Sequence, residues 1–240
     1  MTYSDYVARA ILTCVLGATA WTGWSEPARA EEPKAGGPFN FEEASRNVPT
    51  PRELYPIISK DLVPMNLEMV SDEMVPCLTD PSKKLRKITA RFRSLKLEGR
   101  TWVSTCVILM PADNAINETP ERRGKVVIIG TGGWVVLPAR LDMYADPIVA
   151  RTGYPVMALQ SMDHYDDGKP IEGDLSSLTR IRQKTGKNYY NMNCQLALVY
   201  IRAMDAFQEI LKVDRVKAVV GGHSKLGRSA TVAAAMDPRV

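Results

Sequence analysis

Histidine is nearly absent from this chain: His164 and His223 are its two copies, beside four cysteines in 240 residues. Protein zinc is held by clusters of Cys and His at short spacings, and Cys14, Cys77, Cys106 and Cys194 follow no such pattern. No metal is therefore expected. No cofactor is expected either, because a dinucleotide fingerprint needs a third glycine where Val135 follows Gly130-Thr-Gly132. Aromatic residues make up 7% of the chain and form no ladder of the kind a glycan-binding module displays. Charge lacks a dominant sign, with 31 Lys and Arg against 27 Asp and Glu. The densest basic cluster (Lys83, Lys84, Arg86 and Lys87) reads as a solvated face, so no nucleic-acid partner is expected. Apolar runs are short, and none reaches the ~20 residues that a membrane-spanning helix needs. What is present is 45% hydrophobic composition, enough for one sizeable core in a globular domain.

The first thirty residues have the layout of an export signal. Arg9 precedes an apolar stretch from Ala10 to Trp24, and Ala28-Arg-Ala30 supplies the small-x-small site at which a signal peptidase cuts. Residues 1–30 are read as a signal peptide cleaved after Ala30, which places the protein in a secreted or periplasmic setting with no stable membrane span. An uncleaved anchor is the alternative. Cleavage leaves Cys77, Cys106 and Cys194, an odd number, so at most one disulfide forms within the chain; the spacing does not say which.

Residues 31–51 are rich in Pro, Gly, Glu and Asn and read as a linker. From 52 to 78 short apolar pieces alternate with prolines, and this stretch is expected to drape over the domain. Alternation from Ile88 to Leu97, a turn at Glu98-Gly99-Arg100 and a second run from Thr101 to Met110 predict an antiparallel hairpin. Val126-Val-Ile-Ile129 is continuously apolar, as a buried parallel strand is. Helical spacing over 139–151 closes at Gly153, with Pro147 expected to kink or split that helix. A strand over 154–162, a polar loop over 163–187, a long amphipathic helix over 188–212, a strand over 216–220 and a helix over 225–235 complete the order. A hairpin followed by strand–helix alternation predicts an α/β domain with a mostly parallel sheet.

The chemistry concentrates at Val216-Lys-Ala-Val-Val-Gly-Gly-His-Ser-Lys-Leu-Gly-Arg228. An apolar strand, a sharp turn between small residues and a helix make a nucleophile elbow, the device that exposes a serine in α/β-hydrolases. Ser224 is the candidate nucleophile, and the backbone N–H of Lys225 a candidate oxyanion donor. The spacing is G-x-S-x-x-G, with Leu226 where the common motif has glycine. A serine that merely caps the helix is the competing reading. Gly133 and Trp134, in Gly130-Thr-Gly-Gly-Trp134, are candidates for the loop that donates the second oxyanion N–H, though a tight turn with a core tryptophan would look the same. His223, adjacent to Ser224 on a tight turn, points away from it and is not its base. His164 is expected in a loop near the site mouth, where Asp163, Asp166, Asp167, Glu172 and Asp174 form an exposed acidic loop matching no calcium motif.

Gly222-His-Ser-Lys-Leu-Gly227 and Met236-Asp-Pro-Arg-Val240 resemble the elbow and its continuation in the PhoPQ-activated pathogenicity-related proteins, members of the α/β-hydrolase superfamily. Ala203-Met-Asp-Ala-Phe-Gln-Glu209 and Asp167-Gly-Lys-Pro-Ile-Glu-Gly-Asp174 are similar to further segments of that family, and the likeness runs over about residues 125–240. Glucuronoyl and related carbohydrate esterases share G-x-S-R-x-G, where the basic residue assists the oxyanion; the resemblance implies such a charge for Lys225. The family's tryptophan-rich stretch is replaced by Arg228-Ser-Ala-Thr231. The resemblance implies the N-terminal part of an α/β-hydrolase sheet, truncated after the elbow helix, because the acid and histidine of the triad follow the serine in that superfamily. The expected function is hydrolysis of a small-molecule or glycan ester through a serine nucleophile, left incomplete in this chain. The alternative is a non-catalytic binding or envelope protein, or a gene fragment.

Overall fold

The computed structural model describes residues 49–113, 120–131, 141–171, 176–187 and 189–240. The expected signal peptide and most of the expected linker lie outside them. The first element, helix α1 (Pro51–Ile58), is closed by a capping box in which the Thr50 hydroxyl accepts from the Glu53 N–H and the Glu53 carboxylate accepts from the Thr50 N–H. Leu54 and Ile58 bury its inner face. The expected drape over 52–78 is thus ordered, because a capped helix, a short 3-10 turn (Ser59–Asp61) and the strand β1 (Glu68–Pro76) occupy most of it. That strand is almost wholly exposed, so it lacks the buried alternation that makes a strand legible; Glu68, Asp72 and Glu73 are the kind of charges that keep a sheet edge from pairing with other chains.

Strands β2 (Lys84–Leu97) and β3 (Arg100–Pro111) form the expected hairpin. Glu98 and Gly99 both take positive φ, 49° and 81°, the geometry of the two-residue turns that match strand twist. β3 then pairs antiparallel with β5 (Val156–Tyr165), and β5 and β6 (Lys217–Gly222) flank β4 (Lys125–Gly130) in parallel. The six-stranded order is β1-β2-β3-β5-β4-β6. Helix α2 (Asp142–Thr152) covers one face of the sheet, packing Leu141, Ala145 and Val149 on Leu85, Val107, Leu109, Val156 and Ala158. Pro147 does not split α2, which runs as one helix to a left-handed Gly153 cap at φ 68°; losing one N–H donor is tolerable in a helix whose neighbours Ala145 and Val149 are buried. On the other face lie α1, α3 (Ser176–Thr185), α4 (Met192–Leu211) and α5 (Lys225–Met236). Here Phe92, Trp102, Ile108, Ile128, Met157 and Leu159 meet Leu196, Tyr200, Phe207, Leu226 and Ala230.

The expected loop over 163–187 also contains structure. β5 runs on to Tyr165, and α3 fills residues 176–185. α3 is strongly polar, with Leu178 and Ile181 its contacts to the core, so its helical period is weak in sequence. Cys77, Cys106 and Cys194 are all free and buried. Burial pushes the Cys106 thiol up to about 12, which keeps it protonated and unreactive.

Candidate active site

The parallel strands point their carboxyl ends the same way, and Gly130 of β4 lies opposite Gly222 of β6 at that edge. Two residues beyond Gly222 comes Ser224, at φ 55° and ψ −121°. A non-glycine residue in so sparsely populated a region costs about 1–3 kcal/mol and persists only where its surroundings impose it. The imposition is visible. A Cβ on Gly222 would stand 2.8 Å from the Leu226 Cβ and 2.8 Å from the Tyr200 hydroxyl, and one on Gly227 would stand 2.9 Å from the Gly222 carbonyl oxygen. The first turn of α5 is therefore pressed directly onto the end of β6, and the chain can make that reversal only by straining Ser224.

Ser224 occupies the N-cap position, yet its side chain caps nothing. A capping serine would accept a hydrogen bond from the second or third N–H of the helix, so the capping reading does not hold. Ser224 is left exposed at the carboxyl edge. Lys225 opens α5, where N–H groups lack acceptors within the helix and the helix end carries partial positive charge. An oxyanion forming near Ser224 would meet that end. Gly133 and Trp134 lie outside the described residues. The described entrance to their segment is firm: the Thr131 N–H donates to the Leu159 carbonyl at 2.8 Å, and its hydroxyl to the same oxygen at 3.2 Å.

His223 is exposed, and its carbonyl accepts from the Leu226 N–H at 3.1 Å. No hydrogen bond joins either histidine to Ser224 among the described residues. His164 lies in β5 rather than in a loop, with Nδ1 3.0 Å from Asp163 Oδ2. Asp163 also accepts from the Thr105 hydroxyl. A bulge makes this pairing of consecutive side chains feasible: Val103 pairs with His164 while Thr105 pairs with Gln160, so several residues of β5 face Ser104 alone. The other acids expected in an open loop are partly engaged. Asp166 accepts from the Thr101 N–H, and Asp167 from the Lys169 N–H and Arg100. Glu172 and Asp174 lie outside the described residues. No group of three metal-binding side chains occurs among those described. In the basic cluster, Lys83, Arg86 and Lys87 are paired with Asp80, Asp72 and Asp142.

One residue near the elbow carried no signal of its own in the sequence. Tyr200 reads there as one more apolar position of α4; its hydroxyl reaches the Gly221 carbonyl at 2.8 Å and the Leu226 carbonyl at 3.4 Å. A groove of about 480 Å³, lined by Lys125, Tyr154, Lys217, Val219 and Pro238 among others, opens at the amino ends of β4 and β6. It is at the opposite end of those strands from Ser224 and takes no part in the site.

No family model matches the sequence, and neither does any curated protein. Among solved structures the chain is similar to a Bacteroides fragilis protein assigned as an acetyl xylan esterase, with 17% identity and a TM-score of 0.51 over 79% of this chain and 50% of that one. A glucuronoyl esterase from Solibacter usitatus gives 19% identity and a TM-score of 0.47 over 73% and 50%. The chain spans about half the length of each. An antiparallel hairpin leading into parallel strands, with helices on both faces, is a fold of the α/β-hydrolase type, and the likeness to the Bacteroides protein is one of fold.

Proposed function

We propose that this chain carries the nucleophile-bearing part of an exported serine esterase. The observation that carries the reading is Ser224 itself: a strained, uncapped, exposed serine at a strand-to-helix turn has no structural use for its hydroxyl and suits attack on a carbonyl. In the reaction, Oγ adds to the ester carbon and loses its proton, the carbonyl oxygen becomes an oxyanion at the Lys225 N–H, and the alcohol leaves with a proton. Water then releases the acid from the acyl-serine by the same route. The Lys225 ammonium adds positive charge beside the oxyanion.

Residues 1–30 serve as the export signal in this reading, 31–51 as linker and 52–240 as part of the hydrolase domain. The elbow likeness supports the PhoPQ-activated type within this reading. The Bacteroides structure, an acetyl xylan esterase by its assignment, favours a small acyl group on a glycan as substrate. Neither His223 nor His164 is bonded to Ser224, so the isolated chain deprotonates Oγ through solvent and works slowly. Oxyanion stabilisation and binding alone leave about 10³–10⁴-fold over the reaction in water in a serine hydrolase stripped of its triad.

The test is hydrolysis of p-nitrophenyl acetate by the full chain, with mass spectrometry of the acyl adduct and Ser224→Ala as control. A slow rate with an acetyl group on Ser224, both lost in the variant, is expected. Equal rates in the two proteins and no adduct would overturn the reading in favour of a non-catalytic protein with this fold.

A further inference from the structure

We propose that the Tyr200 hydroxyl is a positioning group for Ser224, tying the end of β4, the end of β6 and the first turn of α5 into one unit. The functional half of this proposal rests on the esterase reading; the structural half does not.

Gly130 and Gly222 face each other across β4 and β6, and a Cβ on either would collide with the Tyr200 hydroxyl. The missing side chains make a slot at the carboxyl edge of the sheet, and α4 delivers one polar atom into it. The ring behind that atom is fully buried among Leu196, Ala203, Met204 and Phe207 of the same core, so packing aims the hydroxyl.

The hydroxyl's contacts then bracket the serine. Its proton goes to the Gly221 carbonyl at 2.8 Å, with the Leu226 carbonyl a longer second acceptor at 3.4 Å. Gly221 stands three residues before Ser224 and Leu226 two after it. Gly130 packs against the same oxygen, so closely that a Cβ there would overlap it, which brings in the strand that leads to the glycine-rich segment. Burial pushes the phenol strongly upward, so it stays a neutral donor across the working pH range. A phenylalanine would fill the same volume and hold the ring, but it would cut both hydrogen bonds and empty the polar contact with Gly130. Tyrosine therefore supplies something here beyond hydrophobic burial. It fixes the strained turn against the adjoining strand, and with it the spacing of Oγ and the Lys225 N–H.

Amide hydrogen exchange on the full chain tests this with Tyr200→Phe, using Phe207→Leu as a variant that loosens the same helix without touching the elbow. The expected result for Tyr200→Phe is exchange about tenfold faster at Gly130, Thr131 and residues 222–226, with the amides of the β2–β3 hairpin unchanged. Phe207→Leu should speed exchange without that selectivity. Uniform change in Tyr200→Phe, or none, would overturn the proposal. Should Tyr200→Phe fail to fold, the wild-type chain labelled with ¹³C at the tyrosine ζ carbon decides: a slowly exchanging Tyr200 hydroxyl, seen as a deuterium isotope shift, supports the donor bond, and fast exchange overturns it. Where Ser224-dependent turnover is measurable, Tyr200→Phe should lower kcat about tenfold with KM unchanged; an unchanged kcat would remove the positioning role. If the wild-type chain shows no Ser224-dependent turnover, the esterase reading falls alone, and the exchange pattern still judges Tyr200.

Discussion

Replacing Gly222 by alanine should be the most damaging single-methyl change in the elbow, and its size follows from three contacts. The new Cβ would lie 2.8 Å from the Leu226 Cβ, 2.8 Å from the Tyr200 hydroxyl and 3.0 Å from the Leu226 carbonyl carbon. The last of these is backbone of α5, and the hydroxyl is held by its own hydrogen bonds, so the strain has nowhere cheap to go. Overpacking of this kind costs about 1–3 kcal/mol, which for a domain of this size lowers Tm by about 3–10 °C. Gly221→Ala, one residue away, is the control: its Cβ meets only the tip of Ile129, at 3.4 Å, and Tm should move by no more than about 2 °C. Thermal melts followed by circular dichroism compare the two. A double variant sharpens the reasoning, because Tyr200→Phe removes one of the obstacles. Gly222→Ala combined with Tyr200→Phe should therefore cost less than the two changes added, by about 0.5 kcal/mol or more. A Gly221→Ala chain as unstable as Gly222→Ala, or a strictly additive double variant, would refute a packing origin for the loss.

Two further outcomes are expected. Asp146, buried in α2, accepts from the Leu78 and Thr79 N–H groups at 2.7 and 3.0 Å and from the Thr79 hydroxyl at 2.9 Å. Asp146→Ala should thus cost about 2–4 kcal/mol in urea unfolding, since donors would be left unmet; a loss below about 1 kcal/mol would contradict the assignment. The bidentate bond from Arg86 lowers the Asp72 carboxyl. The pair's contribution is therefore complete above the ordinary aspartate range and disappears as pH falls through the lower folded value. Both side chains are two-fifths exposed, so that contribution is about 0.5 kcal/mol or less. An NMR titration should find Asp72 moving up in Arg86→Ala, and an unmoved Asp72 would show that the pair does not form in solution.

The hairpin, the buried parallel strands and the elbow were legible because each had a local cause visible in residue order. Val126–Ile129 could hardly be anything but a buried strand, and two glycines before Ser224 announced a turn with no room for side chains. The elements that escaped sequence reading lack such causes. β1 is exposed on nearly every residue, and α3 is helical with a polar surface and a narrow apolar contact. Asp163 and His164 came out of the expected loop because a bulge extends β5, and a bulge is a property of two strands together. Tyr200 illustrates the same limit at the site. Its ring follows from the period of α4, but the target of its hydroxyl is set by Gly130 and Gly222, 70 and 22 residues away.

Among the described residues the serine follows an edge strand of the sheet. Among the described residues β6 pairs with β4 alone, Val219 on it is 66% exposed, and on its free flank the Ala218 N–H is held by the Arg239 carbonyl at 2.7 Å. Strands gripped from both sides hold their atoms still by their ladders; among the described residues β6 has half a ladder. The stiffness of the reactive atom is consequently borrowed from below, from the docking of α4, more than from the sheet. Mild heating or low denaturant that lets α4 breathe should blur the aim of Oγ while the sheet is still intact. Reactivity would then fade at a lower temperature than the one at which the fold is lost.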